Sequence, residues 1–176
     1  MTSTDPDQLI IANLIAARRA TSPHLDVLTF FEVGPHGELI EEIRTYDDLW
    51  ANGQRVAVSL DEEGMGMGEA FAIVAQNHPE FVDTMVGSSI ARTVFVPIDP
   101  RTKGKKLAHM LAFAGCRGVV IGDYAAPHLL EILADCAQLE WVWVITTAGI
   151  QQPASFARLR VRNFSEVLAR PCTSAC

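Results

Sequence analysis

The chain lacks the features of several large protein classes. Its four cysteines are too few and too scattered for a disulfide scaffold; they are Cys116, Cys136, Cys172 and Cys176. No stretch approaches the roughly 18 uninterrupted apolar residues that a membrane-spanning helix needs. The polar, acidic start MTSTDPDQ is also unlike a secretory signal. We therefore expect a cytoplasmic chain with reduced thiols and no membrane span.

Positively charged residues are in the minority. The chain has 14 lysines and arginines against 21 aspartates and glutamates, which gives a net charge of −7. Proteins that bind nucleic acid concentrate Lys and Arg on one face, so we expect no nucleic-acid partner. The basic cluster Lys103, Lys105 and Lys106 lies near a predicted helix start, and we interpret it as a solvated surface.

Common motifs of catalytic and nucleotide sites are absent as well. No G-x-x-x-x-G-K-[ST] sequence occurs. The glycines of Gly64–Gly68 come before a predicted strand, whereas a dinucleotide loop needs them after one, so we predict a connecting turn. Ser88 and Ser89 fall inside a predicted helix without a nucleophile elbow. We assign no catalytic, cofactor-binding or metal-binding residue.

What is present is an alternation of short apolar runs with helical segments. The apolar runs are continuous, which is typical of strands covered on both faces. We predict these strands at Glu69–Ala75, Thr93–Pro97, Gly118–Ile121 and Trp141–Ile145. Helices between successive strands require right-handed crossovers and a parallel sheet. The sequence therefore predicts an α/β fold with a mostly parallel sheet flanked by helices.

The two ends of the chain follow different patterns. Helical spacing predicts a helix over residues 7–20, followed by a β-hairpin with arms at 26–33 and 38–44. Near the other end, a short strand around Phe156–Phe164 precedes a helical turn at Ser165–Ala169. We expect one domain over residues 1–170 and a loose tail over 171–176.

Three helix starts carry capping signals. Thr45 with Asp48 resembles a capping box, and Asn77 with Glu80 gives a second such pair. Thr102 is the third predicted cap. A further helix is expected over Ala126–Ala137.

Polar residues follow each predicted strand, at the sheet edge where open α/β folds bind ligands. They are Gln76-Asn77, Ile98-Asp99, Gly122-Asp123 and Thr146-Thr147. They do not combine a nucleophile, a base and oxyanion donors, so we interpret them as helix caps and turns. A nucleotide or CoA site built from them is the weaker alternative.

Three segments carry longer motifs; they are Thr45–Trp50, Asn77–Phe81 and Val96–Arg101. Together they resemble the adenylate-forming ligases, the acyl-CoA synthetase family. Thr45–Trp50 resembles the family's threonine–tyrosine–x–x–leucine helix start, and Asn77–Phe81 its asparagine–x–proline–glutamate–phenylalanine helix. Val96–Arg101 is similar to its proline–leucine–asparagine–proline–arginine segment. The resemblance covers about residues 45–146, and Arg92 stands where the family usually has glycine.

The resemblance implies both a fold and an activity. The family activates a carboxylate with ATP and magnesium to an acyl-adenylate and passes the acyl group to coenzyme A. Its glycine-rich phosphate loop with lysine, its ribose-binding aspartate and its lid lysine have no counterpart in this sequence. Within the family, the sequence of these motifs is most similar to that of ligases for carnitine-type or other small and medium carboxylates, as in fatty-acid metabolism.

We therefore expect the N-terminal portion of an acyl-CoA synthetase, truncated or one piece of a longer enzyme, that is inactive alone and binds no cofactor alone. Carboxylate, ATP and CoA would be partners only of a complete enzyme. The alternative is a non-catalytic interaction or regulatory module that pairs with a related ligase. An uncovered sheet edge would also allow self-association.

Overall fold

The computed structural model describes residue 7 and residues 10–34, 36–147, 156 and 158–171. Within these residues the helices are α1 (Ile11–Thr21), α2 (Tyr46–Glu62), α3 (Pro79–Ala91), α4 (Gly104–Phe113), α5 (Ala126–Ile132) and α6 (Phe164–Leu168). The strands are β1 (Asp26–Val33), β2 (Leu39–Thr45), β3 (Ala70–Val74), β4 (Val94–Pro97), β5 (Gly118–Gly122), β6 (Trp141–Ile145) and β7 (Arg160–Asn163). Residues 172–176 of the expected tail, with Cys172 and Cys176, lie outside the described residues.

Five strands form a parallel sheet in the order β4-β3-β5-β6-β7. The predicted α/β architecture is confirmed. The short strand expected near the end of the chain is β7, and it joins the sheet beside β6. Successive strands are parallel because a helix or a longer connection returns the chain to the same sheet edge each time.

Helices cover the two faces of this sheet. Phe71 and Ile73 of β3 point towards the cluster formed with α2, α3 and α6. Ala72 and Val74 point the other way, into the cluster formed with α4 and α5. Side chains that alternate between two apolar layers explain why β3, β5 and β6 read as continuous apolar runs.

Strand β4 departs from the predicted pattern. It lies at the sheet edge, and Val94 is 48% exposed although the sequence predicted cover on both faces. That prediction is wrong for β4 because a strand with one neighbour leaves part of its surface uncovered. Pro97 ends the strand and has no backbone N–H, which suits an edge position.

The N-terminal helix and hairpin are confirmed. Helix α1 packs its Ile15 against Leu49 of α2 and Val86 of α3. Strands β1 and β2 pair antiparallel, with Val33 opposite Leu39 near the turn. Pro35 of the predicted turn lies outside the described residues.

The helix boundaries confirm one predicted cap and correct two. The Thr45 and Asp48 capping box has both reciprocal hydrogen bonds. Helix α3 instead begins after His78, without a side-chain cap, and Pro79 occupies its first turn. Thr102 does not cap α4: its backbone N–H donates to the Asp99 carbonyl in a turn, and Lys103 takes the cap position, so the helix begins one residue later than predicted. The helix predicted over Ala126–Ala137 ends at Ile132 and continues as a 3-10 turn.

Candidate functional site

The strand order places a crevice between β3 and β5. After β3 the chain adds β4 on one side of it and then β5 on the other. Connections therefore leave the carboxyl ends of β3 and β5 in opposite directions, and open α/β folds bind ligands at this kind of position. The segments that follow the two strands are Gln76–His78 and Asp123–Ala125.

A cleft of about 960 Å³ opens above this crevice. Its floor is formed by the segments that follow β3, β4, β5 and β6, and its outer wall by the β1–β2 hairpin. Phe30, Ile40 and Phe81 give it apolar walls. A cleft of this size that combines apolar walls with a few polar groups is the usual form of a small-molecule site.

Tyr124 bridges the crevice beneath the cleft. Its hydroxyl oxygen accepts a hydrogen bond of 2.6 Å from the Gln76 backbone N–H and lies 3.2 Å from His78 Nε2. A Cβ at Gly122 would lie 2.4 Å from Tyr124 Cζ, so glycine there lets the ring fold back over the strand end. Burial raises the pKa of the Tyr124 phenol. Tyr124 thus fills the space between β3 and β5 with a neutral side chain.

Arg101 and Asp99 form an ion pair at the rim of the cleft. The Arg101 guanidinium donates to the Asp99 carboxylate at 2.6 and 3.0 Å, and the Arg101 backbone N–H donates to the same group at 2.8 Å. These hydrogen bonds lower the pKa of Asp99 to about 2. The charge of Arg101 is therefore already matched inside the protein.

The hairpin wall adds further negative charge. Glu32 and Glu42 both line the cleft. Glu42 lies 2.7 Å from Nη1 of Arg44, whose side chain points away from the cleft towards Asp83 of α3. Of the described lining residues, Arg101 carries the positive charge, against the carboxylates of Glu32, Glu42 and Asp99.

Side-chain hydrogen bonds join the remaining strand ends to one another, whereas the sequence predicted caps and turns there. Asp123 is buried, and its carboxylate accepts from the Thr147 backbone N–H at 2.7 Å and from the Thr147 hydroxyl at 2.8 Å. Thr146 accepts from the side-chain amide of Asn163. Asp123 therefore fixes the ends of β5 and β6 relative to each other.

Sequence reasoning located this sheet edge but missed two contributors to the cleft, Tyr124 and the hairpin wall. Gln76, Asn77, Asp99 and Thr147 line it together, as expected for the ends of parallel strands. Tyr124 was missed although it follows directly after a predicted strand end. The hairpin wall could not be placed from the sequence, because its position depends on the buried contact between Arg44 and Asp83.

The described lining of the cleft is poor in groups that bind a nucleotide phosphate. A triphosphate needs lysine or arginine side chains, or backbone N–H groups arranged in a loop. The cleft presents more carboxylates than cations, and its Arg101 is paired with Asp99. Among the described residues, no group of three or more His, Cys, Asp or Glu side chains is arranged to hold a metal ion.

A family comparison identifies the chain. The sequence model of the AMP-binding enzyme family matches residues 27–172. The chain belongs to this family. The match extends beyond the 45–146 span of the motifs, since it includes the hairpin, β7 and α6.

Individual relatives of this AMP-binding chain include CoA ligases and multifunctional synthetases. It is 34% identical over 86 residues to the hybrid PKS-NRPS synthetase pyvA of Aspergillus violaceofuscus, which is 49% of this chain and 2% of that protein. It is 27% identical over 88 residues to 4-hydroxybutyrate–CoA ligase 2 of Metallosphaera sedula, which is 50% of this chain and 16% of that ligase. Feruloyl-CoA synthase of an Amycolatopsis species is 30% identical over 98 residues, 51% of this chain and 20% of the synthase.

Solved structures of ligases share the fold. The anthranilate CoA ligase AuaEII in complex with anthranoyl-AMP superposes on 94% of this chain with a TM-score of 0.75 and 16% identity. Coronafacic acid ligase of Pectobacterium brasiliense superposes on 95% with a TM-score of 0.71 and 16% identity. This AMP-binding chain spans 29% and 31% of those two chains, respectively. Among its described residues, no helix is both long and apolar enough to cross a bilayer.

Proposed function

We propose that these 176 residues form part of an ATP-dependent, AMP-forming acid–thiol ligase, that is, an acyl-CoA synthetase. Membership of the AMP-binding enzyme family carries this proposal. In a complete enzyme of this kind, ATP activates a carboxylate to an acyl-adenylate, and coenzyme A takes the acyl group. ATP, magnesium and CoA are therefore the implied cofactor and co-substrates, and a carboxylic acid is the substrate.

Coenzyme A as the acyl acceptor is the narrower part of the proposal. It is supported by relatives named as CoA ligases or CoA synthases. Other relatives are named as peptide-antibiotic synthases, such as surfactin synthase subunit 2 of Bacillus subtilis. A small or medium carboxylate in fatty-acid metabolism remains our proposed substrate class. The buried, reduced thiols of Cys116 and Cys136 support a cytoplasmic setting.

We propose further that the 176 residues do not form acyl-adenylate by themselves and bind no cofactor alone. Stabilising the charge that develops on transferring phosphates requires cationic side chains or backbone N–H groups aimed at that charge. Among the described residues that line the cleft, the cation Arg101 is already paired with Asp99, and the family's phosphate loop and lid lysine are not in the sequence.

ATP–pyrophosphate exchange tests this proposal directly. The purified chain is assayed with 4-hydroxybutyrate, ferulate, anthranilate and short fatty acids, beside a full-length CoA ligase as the positive control. We expect exchange at the level of the enzyme-free blank. Clear carboxylate-dependent exchange would overturn the proposed inactivity and leave the family proposal standing.

The alternative function is a non-catalytic module that pairs with a related ligase, and uncovered apolar surface on the hairpin supports it. Light scattering of the chain mixed with a full-length ligase separates the two ideas, since a stable complex favours the module. Self-association through a sheet edge is less well supported. β4 ends in Pro97, and β7 presents Arg160 and Arg162, features that discourage strand pairing.

A further inference from the structure

One face of the β1–β2 hairpin is apolar and exposed. Strand alternation and the observed register put Phe31, Val33, Leu39 and Ile43 on the same side of the ribbon. These four side chains, called the hairpin face below, are 61%, 68%, 68% and 41% exposed. A contiguous apolar surface on a two-stranded ribbon is typical of a docking site, because such a ribbon gains stability only when it packs against something.

The hairpin is also strongly acidic. Between residues 26 and 45 it carries five acidic side chains and one arginine, which gives a local charge of −4; they are Asp26, Glu32, Glu38, Glu41, Glu42 and Arg44. Glu41 lies on the hairpin face, directly opposite Phe31, whereas Glu32 and Glu42 lie on the other side of the ribbon and line the cleft. Two hairpin faces meeting each other would bring like charges together, which disfavours a hairpin-to-hairpin contact.

Helix α4 carries the complementary surface. All three lysines of the chain are Lys103, Lys105 and Lys106, and α4 contains no acidic residue. Phe113 at its end is 85% exposed, and the His109 ring lies 5.8 Å from the Phe113 ring. Lys105, His109 and Phe113 follow one another at four-residue spacing, so they form one exposed stripe, called the α4 face below.

We propose that the hairpin face of one copy of this chain docks on the α4 face of a second copy. Each surface combines large exposed apolar side chains with charge, and the charges are opposite in sign. The hairpin is anchored to α3 by Arg44 and Asp83, whereas α4 packs with α5 on the opposite face of the sheet. The contact is therefore heterologous, and repetition of it builds rings or open chains of copies.

The expected association is weak and sensitive to salt. A ribbon face on a single helix is a small interface, of the size seen in transient contacts. Its exposed charges are screened at high ionic strength. This inference concerns an interaction surface and does not depend on ligase activity.

Sedimentation velocity with charge-swapped chains tests the proposal. One chain carries Glu41→Lys on the hairpin face, and the other carries Lys105→Glu and Lys106→Glu on α4. We expect the natural chain to show an average mass that rises with concentration in about 0.05 M NaCl and falls to the monomer in about 0.5 M NaCl. Each reversed chain alone should associate about tenfold or more weakly, and an equimolar mixture of the two should recover association.

Matched controls separate this contact from general effects. Phe113→Ala should weaken association, whereas Val161→Ala, at a half-exposed apolar side chain on the far edge strand β7, should not. Arg18→Glu, at an exposed position on α1, controls for a change in net charge, and circular dichroism confirms folding of each variant.

Three results would overturn the proposal. They are a natural chain that stays monomeric at all concentrations, a Lys105→Glu/Lys106→Glu chain that associates like the natural one, and a mixture of reversed chains that stays monomeric. Binding only to a full-length ligase, without self-association, would instead assign these surfaces to the alternative module.

Discussion

The buried carboxylate of Asp83 gives a test in which the sign of a pH effect decides the interpretation. Asp83 is fully buried on α3, where it accepts hydrogen bonds from Arg44 Nε at 3.2 Å and from Asn52 Nδ2 at 3.1 Å. Burial favours the neutral acid, while Arg44 and Asn52 favour the carboxylate. Burial dominates and raises the pKa of Asp83 from 3.8 to about 6.

A raised pKa in the folded state means that folding favours the protonated form. The stabilisation relative to the ionised form is complete below the unfolded pKa of 3.8 and is lost as the pH rises through about 6. The full difference of about two pKa units corresponds to about 3 kcal/mol. About 2 kcal/mol of it should be lost between roughly pH 4.5 and 7.5.

Asp83→Asn isolates this contribution, because asparagine resembles the protonated acid in shape and does not titrate. Urea unfolding of both proteins across this pH range gives the difference in free energy of unfolding, natural minus variant. We expect that difference to fall by about 2 kcal/mol as the pH rises. A difference that instead increases with pH would mean that the Arg44 ion pair outweighs burial, and the reasoning would be wrong.

Three further substitutions test separate contacts. Gly87→Ala places a Cβ 2.3 Å from Val56 Cγ1 between α3 and α2, so we expect the free energy of unfolding in urea to fall by about 1–3 kcal/mol. The control Gly66→Ala meets no atom closer than 3.5 Å and should leave the free energy of unfolding nearly unchanged. Glu63→Leu removes the buried carboxylate that pairs with two arginines of β7 and accepts from the Trp143 indole N–H, and we expect a loss of about 1–3 kcal/mol in urea unfolding with faster amide exchange in β7. Arg92→Gly relieves a backbone φ of 58° at the end of α3 and should stabilise the chain by up to about 1 kcal/mol, seen as a higher Tm.

The parallel sheet could be predicted because its signal is local. Each of β3, β5 and β6 is a short apolar run followed by a helical segment, and this spacing leaves few alternatives to parallel strands. Their bounds differ from the predicted ones by at most one residue at each end. Position 92 also agrees with the sequence analysis. The family usually has glycine there, and Arg92 has the positive φ that favours glycine.

Features that depend on distant contacts were less predictable. The cap predicted at Asn77 failed because the chain turns first, with the His78 N–H donating to the Gln76 carbonyl, so that α3 begins at Pro79. Nothing in the local sequence indicates that Asp83 would bury an ion pair with a hairpin residue 39 positions earlier. Partners separated by that distance in the chain are fixed only when the fold is complete.

The same distant contact links the hairpin to both proposals made for this chain. Arg44 holds the base of the hairpin against α3, while the four apolar residues of the hairpin face extend beyond it into solvent. The base therefore holds the whole ribbon, of which one side forms the outer wall of the cleft and the other presents the docking surface. If Asp83→Asn loosens the base, we expect self-association to weaken as well, although the substitution lies far from both docking faces. Association that is unchanged in Asp83→Asn would mean that the hairpin face holds its conformation independently of the buried ion pair.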